Sequence, residues 1–203
     1  MLLWIFTLLV FSNTAMATEE PKFTLLEKDQ SFELRLYEPK ILAEVVVNGT
    51  MREASSKGFK LIADFIFGNN IATSGKSEKI SMTAPVLIEP HAEKISMTAP
   101  VNVEQSGAGW KVNFVMPSQY SLETLPKPNN PLVKIKPIPA MKFAVIQFSG
   151  LVDEEKMAKK VTDLEQWIST KQLKVLGNAE LARYNPPWTL PFLRRNEVMI
   201  EVE

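Results

Sequence analysis

A single histidine, His91, and a complete lack of cysteine limit the chemistry open to this chain. Without thiols there is no cysteine nucleophile, no iron–sulfur cluster and no thiolate zinc site. With one imidazole, a Ser-His-Asp triad has a single base to draw on, and no Gly-X-Ser-X-Gly turn offers it a serine. His-Glu-X-X-His and a phosphate-cradling glycine loop are also missing from the sequence. Catalytic readings therefore fare poorly, and no His/Cys/carboxylate cluster suggests a dedicated metal site. Trp188 is the residue best suited to stacking on a flat molecule. It follows Asn185-Pro186-Pro187, where two prolines reject regular helix and restrict the backbone before them. Burial at a domain edge is the plainer account of the same ring. Arg194 and Arg195, next to Asn196, read as a solvated turn with one ion pair.

Charge narrows the choice further. Lysine plus arginine and aspartate plus glutamate number 23 each, so the formal net charge is zero. A neutral chain without a basic tract lacks the phosphate-neutralising surface that dominates nucleic-acid affinity, and it carries no polybasic membrane clamp. At the N-terminus, Leu2 to Phe11 form a short apolar core, and Ala15-Met16-Ala17 places small residues where signal peptidase needs them. The expectation is a signal peptide over residues 1–17, cleaved after Ala17, and a mature protein in the periplasm or secreted. A buried N-terminal strand or helix is the competing account. The apolar run falls short of the ~20 residues of a permanent anchor, so no integral membrane segment is expected after signal removal. Residues 18–203 are enough to build one core without disulfides.

The elements that would position these residues follow from periodicity. Phe32-Glu33-Leu34-Arg35-Leu36 alternates as a half-buried strand, Pro39 interrupts it, and Ile41 to Val47 continues as a β-branched run. Thr50-Met51-Arg52-Glu53 is a capping-box helix start. Met51, Ala54, Gly58, Ile62, Phe65 and Ile66 then fall near one face, and Gly68 supplies a stop. The pattern recurs at an offset of 101 residues, with Ala43 and Ala144, Gly49 and Gly150, Glu53 and Glu154 in matching places. A second helix runs from about Asp153 to Thr170 with Met157, Val161, Leu164 and Ile168 on one face, between strands at Val133–Ile138, Phe143–Phe148 and Asn196–Glu203. Each helix is followed by a segment read as a proline-terminated strand, Ser81–Pro85 and Arg183–Pro187. Each half therefore reads as strands, a helix, then strands, and two helices need a sheet or open barrel to cover.

A smaller repeat lies inside the first half. Glu78–Val86 returns identically at Glu93–Val101, fifteen residues on. The two copies are expected to pair as an antiparallel hairpin, with Glu89-Pro90-His91-Ala92 as its turn. Trp110 to Met116 alternates as a further strand, and the segment with Pro117, Pro126, Pro128 and Pro131 is an extended surface loop.

Phe32–Pro39, Lys79–Val86, Ala182–Trp188 and Arg194–Val198 together resemble the SOUL/haem-binding protein family, and the chain looks like an exported bacterial member over about Thr24 to Val202. The resemblance implies an α+β fold, a distorted antiparallel β-barrel of two pseudo-symmetric halves, each flanked by an α-helix. It also implies a non-catalytic protein that binds haem or another tetrapyrrole. Another small hydrophobic ligand, or a structural role without tetrapyrrole, is the alternative. Haem iron takes His, Cys, Met or Tyr as axial donor, which leaves His91, Met82 and Met97 as candidates. Iron-independent capture would use the first helix and its neighbouring loops. There Met51, Phe59 and Ile62 supply apolar surface, and Arg52, Lys57 and Lys60 supply cations for the propionates, with Arg able to bind a carboxylate bidentately.

Overall fold

Thr50 and Glu53 show how locally the first helix is specified. In the computed structural model, which describes residues 18–91 and 109–203, the Thr50 side chain accepts from the Glu53 amide at 3.3 Å while the Glu53 carboxylate accepts from the Thr50 amide at 3.1 Å. Helix α1 (Met51–Ile66) then buries Met51, Ala54, Gly58, Ile62, Phe65 and Ile66, the face its spacing predicts, and Gly68 turns the chain with a φ of 123°. Helix α2 (Glu154–Thr170) is capped by Asp153 and buries Met157, Leu164, Trp167 and Ile168.

The strands are β1 (Phe23–Asp29), β2 (Phe32–Tyr37), β3 (Lys40–Asn48), β4 (Asn70–Ile71), β5 (Val86–His91), β6 (Gly109–Val115), β7 (Lys127–Pro128), β8 (Lys134–Ile138), β9 (Met141–Phe148), β10 (Val175–Arg183) and β11 (Asn196–Val202). Nine of them form one antiparallel sheet in the order β1-β2-β9-β11-β10-β5-β6-β3-β8, and β4 pairs with β7 in a separate ribbon. The expected barrel is not formed. Strands β1 and β8 end the order and do not pair, so the sheet stays open. Pro137 within β8 has no N–H to offer another strand, which suits that strand to an edge. The sheet is nevertheless strongly curled. The Lys40 ammonium of β3 lies 4.8 Å from the Tyr37 ring centroid of β2 and 5.6 Å from that of Phe143 of β9, although β3 stands near the far end of the order.

Both helices cover one face of the sheet. Under α2 lie Ala144, Ile146, Val198 and Ile200, and under α1 lie Ala43, Val45, Val112 and Phe114. The inner face of the curl buries Tyr37, Leu42, Leu87, Val115, Phe143, Val145 and Met199 against one another. The two halves match as the sequence offset predicts. Ala43 and Ala144 are both fully buried, and Gly49 and Gly150 both turn with positive φ, 122° and 101°. The symmetry breaks at the acids. Glu53 caps its own helix, whereas Glu154 reaches across to accept from the Met51 amide of α1 at 3.0 Å.

Two local expectations need correction, and a third falls outside the described residues. Glu89, Pro90 and His91 are not a turn but the end of β5, opposite Lys111, Trp110 and Gly109 of β6. Pro90 is tolerated because β10 pairs β5 only as far as Ile88, so no ladder bond needs its absent N–H. Ser81–Pro85 is not a regular strand, and its sole pairing is an isolated parallel bridge from Thr83 to Glu19. The second copy of the small repeat, Glu93–Val101, lies outside the described residues, so the pairing of the two copies does too.

Candidate functional site

The face of α1 turned away from the core carries Arg52, Lys57, Phe59 and Lys60, all exposed. Met51 and Ile62, in contrast, are buried beneath the helix, so they form its floor and offer no contact surface. The Phe59 ring meets Phe114 of β6 at 5.4 Å, tilted by 62°. His91 lies on the sheet face opposite the helices, as strand alternation from the core residue Ile88 requires. It is thus separated from the α1 surface by the sheet itself.

Arg183, at the end of β10, links α1 to the start of α2. It pairs in register with Val86, which is opposite Phe114 in turn. Its guanidinium donates to Ser55 Oγ of α1 at 3.4 Å and to the Val152 carbonyl at 3.2 Å. No carboxylate lies within ion-pair distance of it among the described residues. Arg194 is in the same position chemically, donating only to the carbonyls of Thr189 at 2.8 Å and Pro187 at 2.5 Å. Burial and the neighbouring charge of Arg194 both hold the Arg183 guanidinium below its ordinary value.

Between these two arginines runs an apolar loop. Trp188 is 83% exposed, and Leu190, Phe192, Leu193 and, across from them, Leu151 are also exposed. The loop is fixed by Gly150 donating to the Pro191 carbonyl at 2.9 Å and by Asn196 Nδ2 donating to the Gly150 carbonyl at 3.0 Å. On its far side a shallow basin of about 520 Å³ is lined by Phe148, Leu193 and Arg194. The ammonium groups of Lys156 and Lys160 lie 5.6 and 5.8 Å from the Phe148 ring. A contiguous exposed apolar patch rimmed by polar groups marks an interaction surface. Burial at a domain edge, the plainer account of Trp188, does not hold for a ring so exposed, and sequence reasoning assigned Arg183 no role. Its only signal was its place immediately before Tyr184-Asn185-Pro186-Pro187.

A second cluster is polar and closed. Arg35 binds Glu197 through two hydrogen bonds of 2.8 and 3.1 Å, and also donates to Glu33 at 2.7 Å and Tyr37 Oη at 3.0 Å. Tyr184 Oη donates to Glu197 at 2.7 Å, and Arg195 donates to it at 3.2 Å while lying 3.5 Å over the Tyr184 ring. Arg195 is therefore half-buried in a network and not a solvated turn. Burial pushes Tyr37 up to about 12, and the paired Glu197 charge adds to it, while Arg35 opposes. Glu33 is held low against its own burial by Lys28 and Arg35. Every charge in the cluster has a partner. Among the described residues no group of three or more His, Cys, Asp or Glu gathers in metal-binding geometry.

Two guanidiniums bonded only to neutral oxygens thus stand beside exposed rings. The chain belongs to the SOUL family: residues 18–201 match the family described as SOUL heme-binding protein. The family's role is non-catalytic binding of haem and related tetrapyrroles. No curated protein matches the sequence significantly. Among solved structures, the EcmrR C-terminal domain is similar at 12% identity with a TM-score of 0.60, covering 85% of this chain and 96% of its own. An uncharacterized conserved protein from Listeria innocua is similar at 11% identity and a TM-score of 0.61, covering 86% and 93%. A hydrolase from the same organism is similar at 10% identity and 0.57, covering 88% and 94%. At these identities the likeness is one of fold alone. No helix among the described residues is long and apolar enough to cross a membrane.

Proposed function

We propose that this protein binds a tetrapyrrole on the surface formed by the Trp188–Leu193 loop and the adjoining exposed face of α1, where Arg52 and Phe59 lie. The observation that carries the reading is the pair Arg183 and Arg194: two neighbouring guanidiniums, each bonded only to neutral oxygens, on either side of an exposed apolar loop. Like charges so placed repel each other, and two carboxylates on one flat apolar body would relieve that repulsion. The surface fits a porphyrin body and its propionates. Neither this loop nor α1 carries His91, Met82 or Met97, the axial candidates, so the reading rests on the porphyrin body and its propionates and not on the iron. We further propose that the protein acts in the periplasm or outside the cell after cleavage following Ala17. Intact-mass measurement of protein recovered from its native cells checks this, and a mature soluble chain beginning at Met1 contradicts it.

Haem, iron-free protoporphyrin and protoporphyrin dimethyl ester titrated in parallel test the site. Haem and protoporphyrin are expected to bind one-to-one with similar affinity. Arg183→Met and Arg194→Met each weaken both by roughly tenfold, the scale of one charged hydrogen bond. The ester, which has no carboxylate, binds wild type and both variants alike. Trp188→Ala weakens all three ligands. Absence of saturable binding by any of them sinks the reading and favours a different small hydrophobic ligand.

A further inference from the structure

The seam where the sheet fails to close is a cleft of about 480 Å³. One wall is the chain leading into β1, residues 19–22, and the other is the β3–β8 edge with Lys40, Ile41 and Ile138. The N-terminal wall is firmly tethered. The Glu19 carboxylate accepts from the Ser118 amide at 2.9 Å, the Glu19 carbonyl accepts from Ala84 at 2.9 Å, and Glu20 is paired with Arg195 at 2.7 Å. Pro21, Pro39, Pro117 and Pro137 line the space and bring no N–H donors to it.

Lys40 is the anomaly in this cleft. Its ammonium sits over the Tyr37 and Phe143 rings, half-buried, with no hydrogen-bond acceptor and no carboxylate within ion-pair distance among the described residues. Two of the acids that line the cleft, Glu19 and Glu20, are engaged elsewhere, and Glu38 is exposed at the rim. Glu180 attracts Lys40 only at longer range, and burial outweighs that attraction and holds the lysine below its ordinary value. A half-buried, unpaired charge is costly and persists where something repays it. We propose that the seam cleft is a second binding site, for an apolar molecule bearing a single carboxylate, with the carboxylate on Lys40 and the body against Ile41, Met116 and Ile138. One half-buried cation sets the number of acids, and the proline and aliphatic walls set the apolar body. The Tyr37 and Phe143 rings, beside the cleft and not part of its lining, hold the ammonium in place before the ligand arrives, so little ordering is needed on binding.

The probe is dansylated undecanoic acid, with its uncharged primary amide as control, titrated into the full chain by fluorescence. Saturable one-to-one binding of the acid is expected. Lys40→Met weakens it by at least about tenfold and leaves the amide unchanged, as loss of a charge-assisted contact requires. The same substitution removes an unpaired charge, so the ligand-free variant is expected to melt roughly 2–4 °C higher. A variant that binds the acid within twofold of wild type overturns the site, and one that loses stability together with binding marks Lys40 as a structural residue and overturns it equally. Saturating haem and Arg183→Met are both expected to leave the acid's affinity within twofold. Displacement of the probe by haem would merge the two sites and sink this inference while leaving tetrapyrrole binding intact. Failure of haem binding alone leaves the cleft standing.

Discussion

Arg35 and Glu197 stand 162 residues apart in the chain and meet as a bidentate pair, with Arg35 3% and Glu197 0% exposed. They are carried by β2 and β11, the two strands that flank β9 on either side. The pair therefore clamps the first half of the chain to the last strand of the second. Two of the sequence segments that resemble the SOUL family, Phe32–Pro39 and Arg194–Val198, converge on it.

Breaking this pair from one side should be severe. Glu197→Gln leaves the buried Arg35 with Glu33 alone, and Arg35→Met leaves Glu197 with the half-buried Arg195 alone. The expected loss is therefore about 3 kcal/mol in urea denaturation, the low end for a broken buried pair. Arg35→Met combined with Glu197→Met removes both charges and should recover a large part of that loss. A double variant no better than the worse single one would mean that Glu33, Tyr37 and Tyr184 contribute more than the pair itself.

Glu180 makes a prediction about pH. It stands on the inner face of the curl, where burial and, more weakly, Glu89 and Glu201 push its carboxyl up to about 7 against the opposing pull of Lys40 and Lys111. Below the ordinary value of 4.5 the group is protonated in both folded and unfolded chains, so it contributes no slope. As pH rises from there through about 7 the unfolded chain ionises first, and stability falls. Water still reaches part of the side chain, so the loss is expected to be on the order of 1–3 kcal/mol. Glu180→Gln stays neutral and should lose this slope. Urea midpoints of both proteins at about pH 5 and about pH 8 decide it, and parallel pH dependences would contradict the raised value.

What the sequence discloses and what it hides divide by range. The Thr50–Glu53 capping box, the buried face of α1 and the 101-residue offset are legible because each depends on neighbours within a turn or on a simple repeat. Arg195 reads as a solvated turn because its partners, Glu20, Tyr184 and Glu197, are assembled by strand pairing that no local pattern encodes. The same holds for closure of the sheet: whether β1 and β8 meet depends on accumulated curl over nine strands. Strand β1 itself escapes notice because it is exposed along nearly its whole length and so lacks the half-buried alternation that announces β2. Among candidate ligand contacts, Met51 and Ile62 follow the helical period into the core, whereas Arg52 and Phe59 stay outside.

Gly58 tests how closely α1 lies on the sheet. A Cβ at this position would come within 2.6 Å of both Val112 Cβ and one of its methyls, and Val112 is fully buried in β6. Alanine would gain up to about 1 kcal/mol of helix propensity over glycine. The clash falls on a β-branched residue fixed at its Cβ, so it cannot be relieved by rotating a flexible tip, and overpacking typically costs about 1–3 kcal/mol. Gly58→Ala is therefore expected to be net destabilising, and Gly58→Ala with Val112→Ala to recover part of the loss. A more stable single variant would show that the helix lifts off the sheet with ease.

His91→Ala addresses the iron. The imidazole lies on the sheet face opposite α1 and the Trp188 loop, at the end of β5 where it faces Gly109 across the strand pair. An axial histidine normally has its second nitrogen fixed by a hydrogen bond that orients the ring. Among the described residues His91 makes no such bond. Ferric haem bound to wild type and to His91→Ala should accordingly give the same Soret maximum and affinities within about twofold, one-to-one with the behaviour of iron-free protoporphyrin. A Soret shift or a loss confined to haem in the variant would place the iron on His91, and with it the ligand on the wrong face of the sheet for the arginine pair.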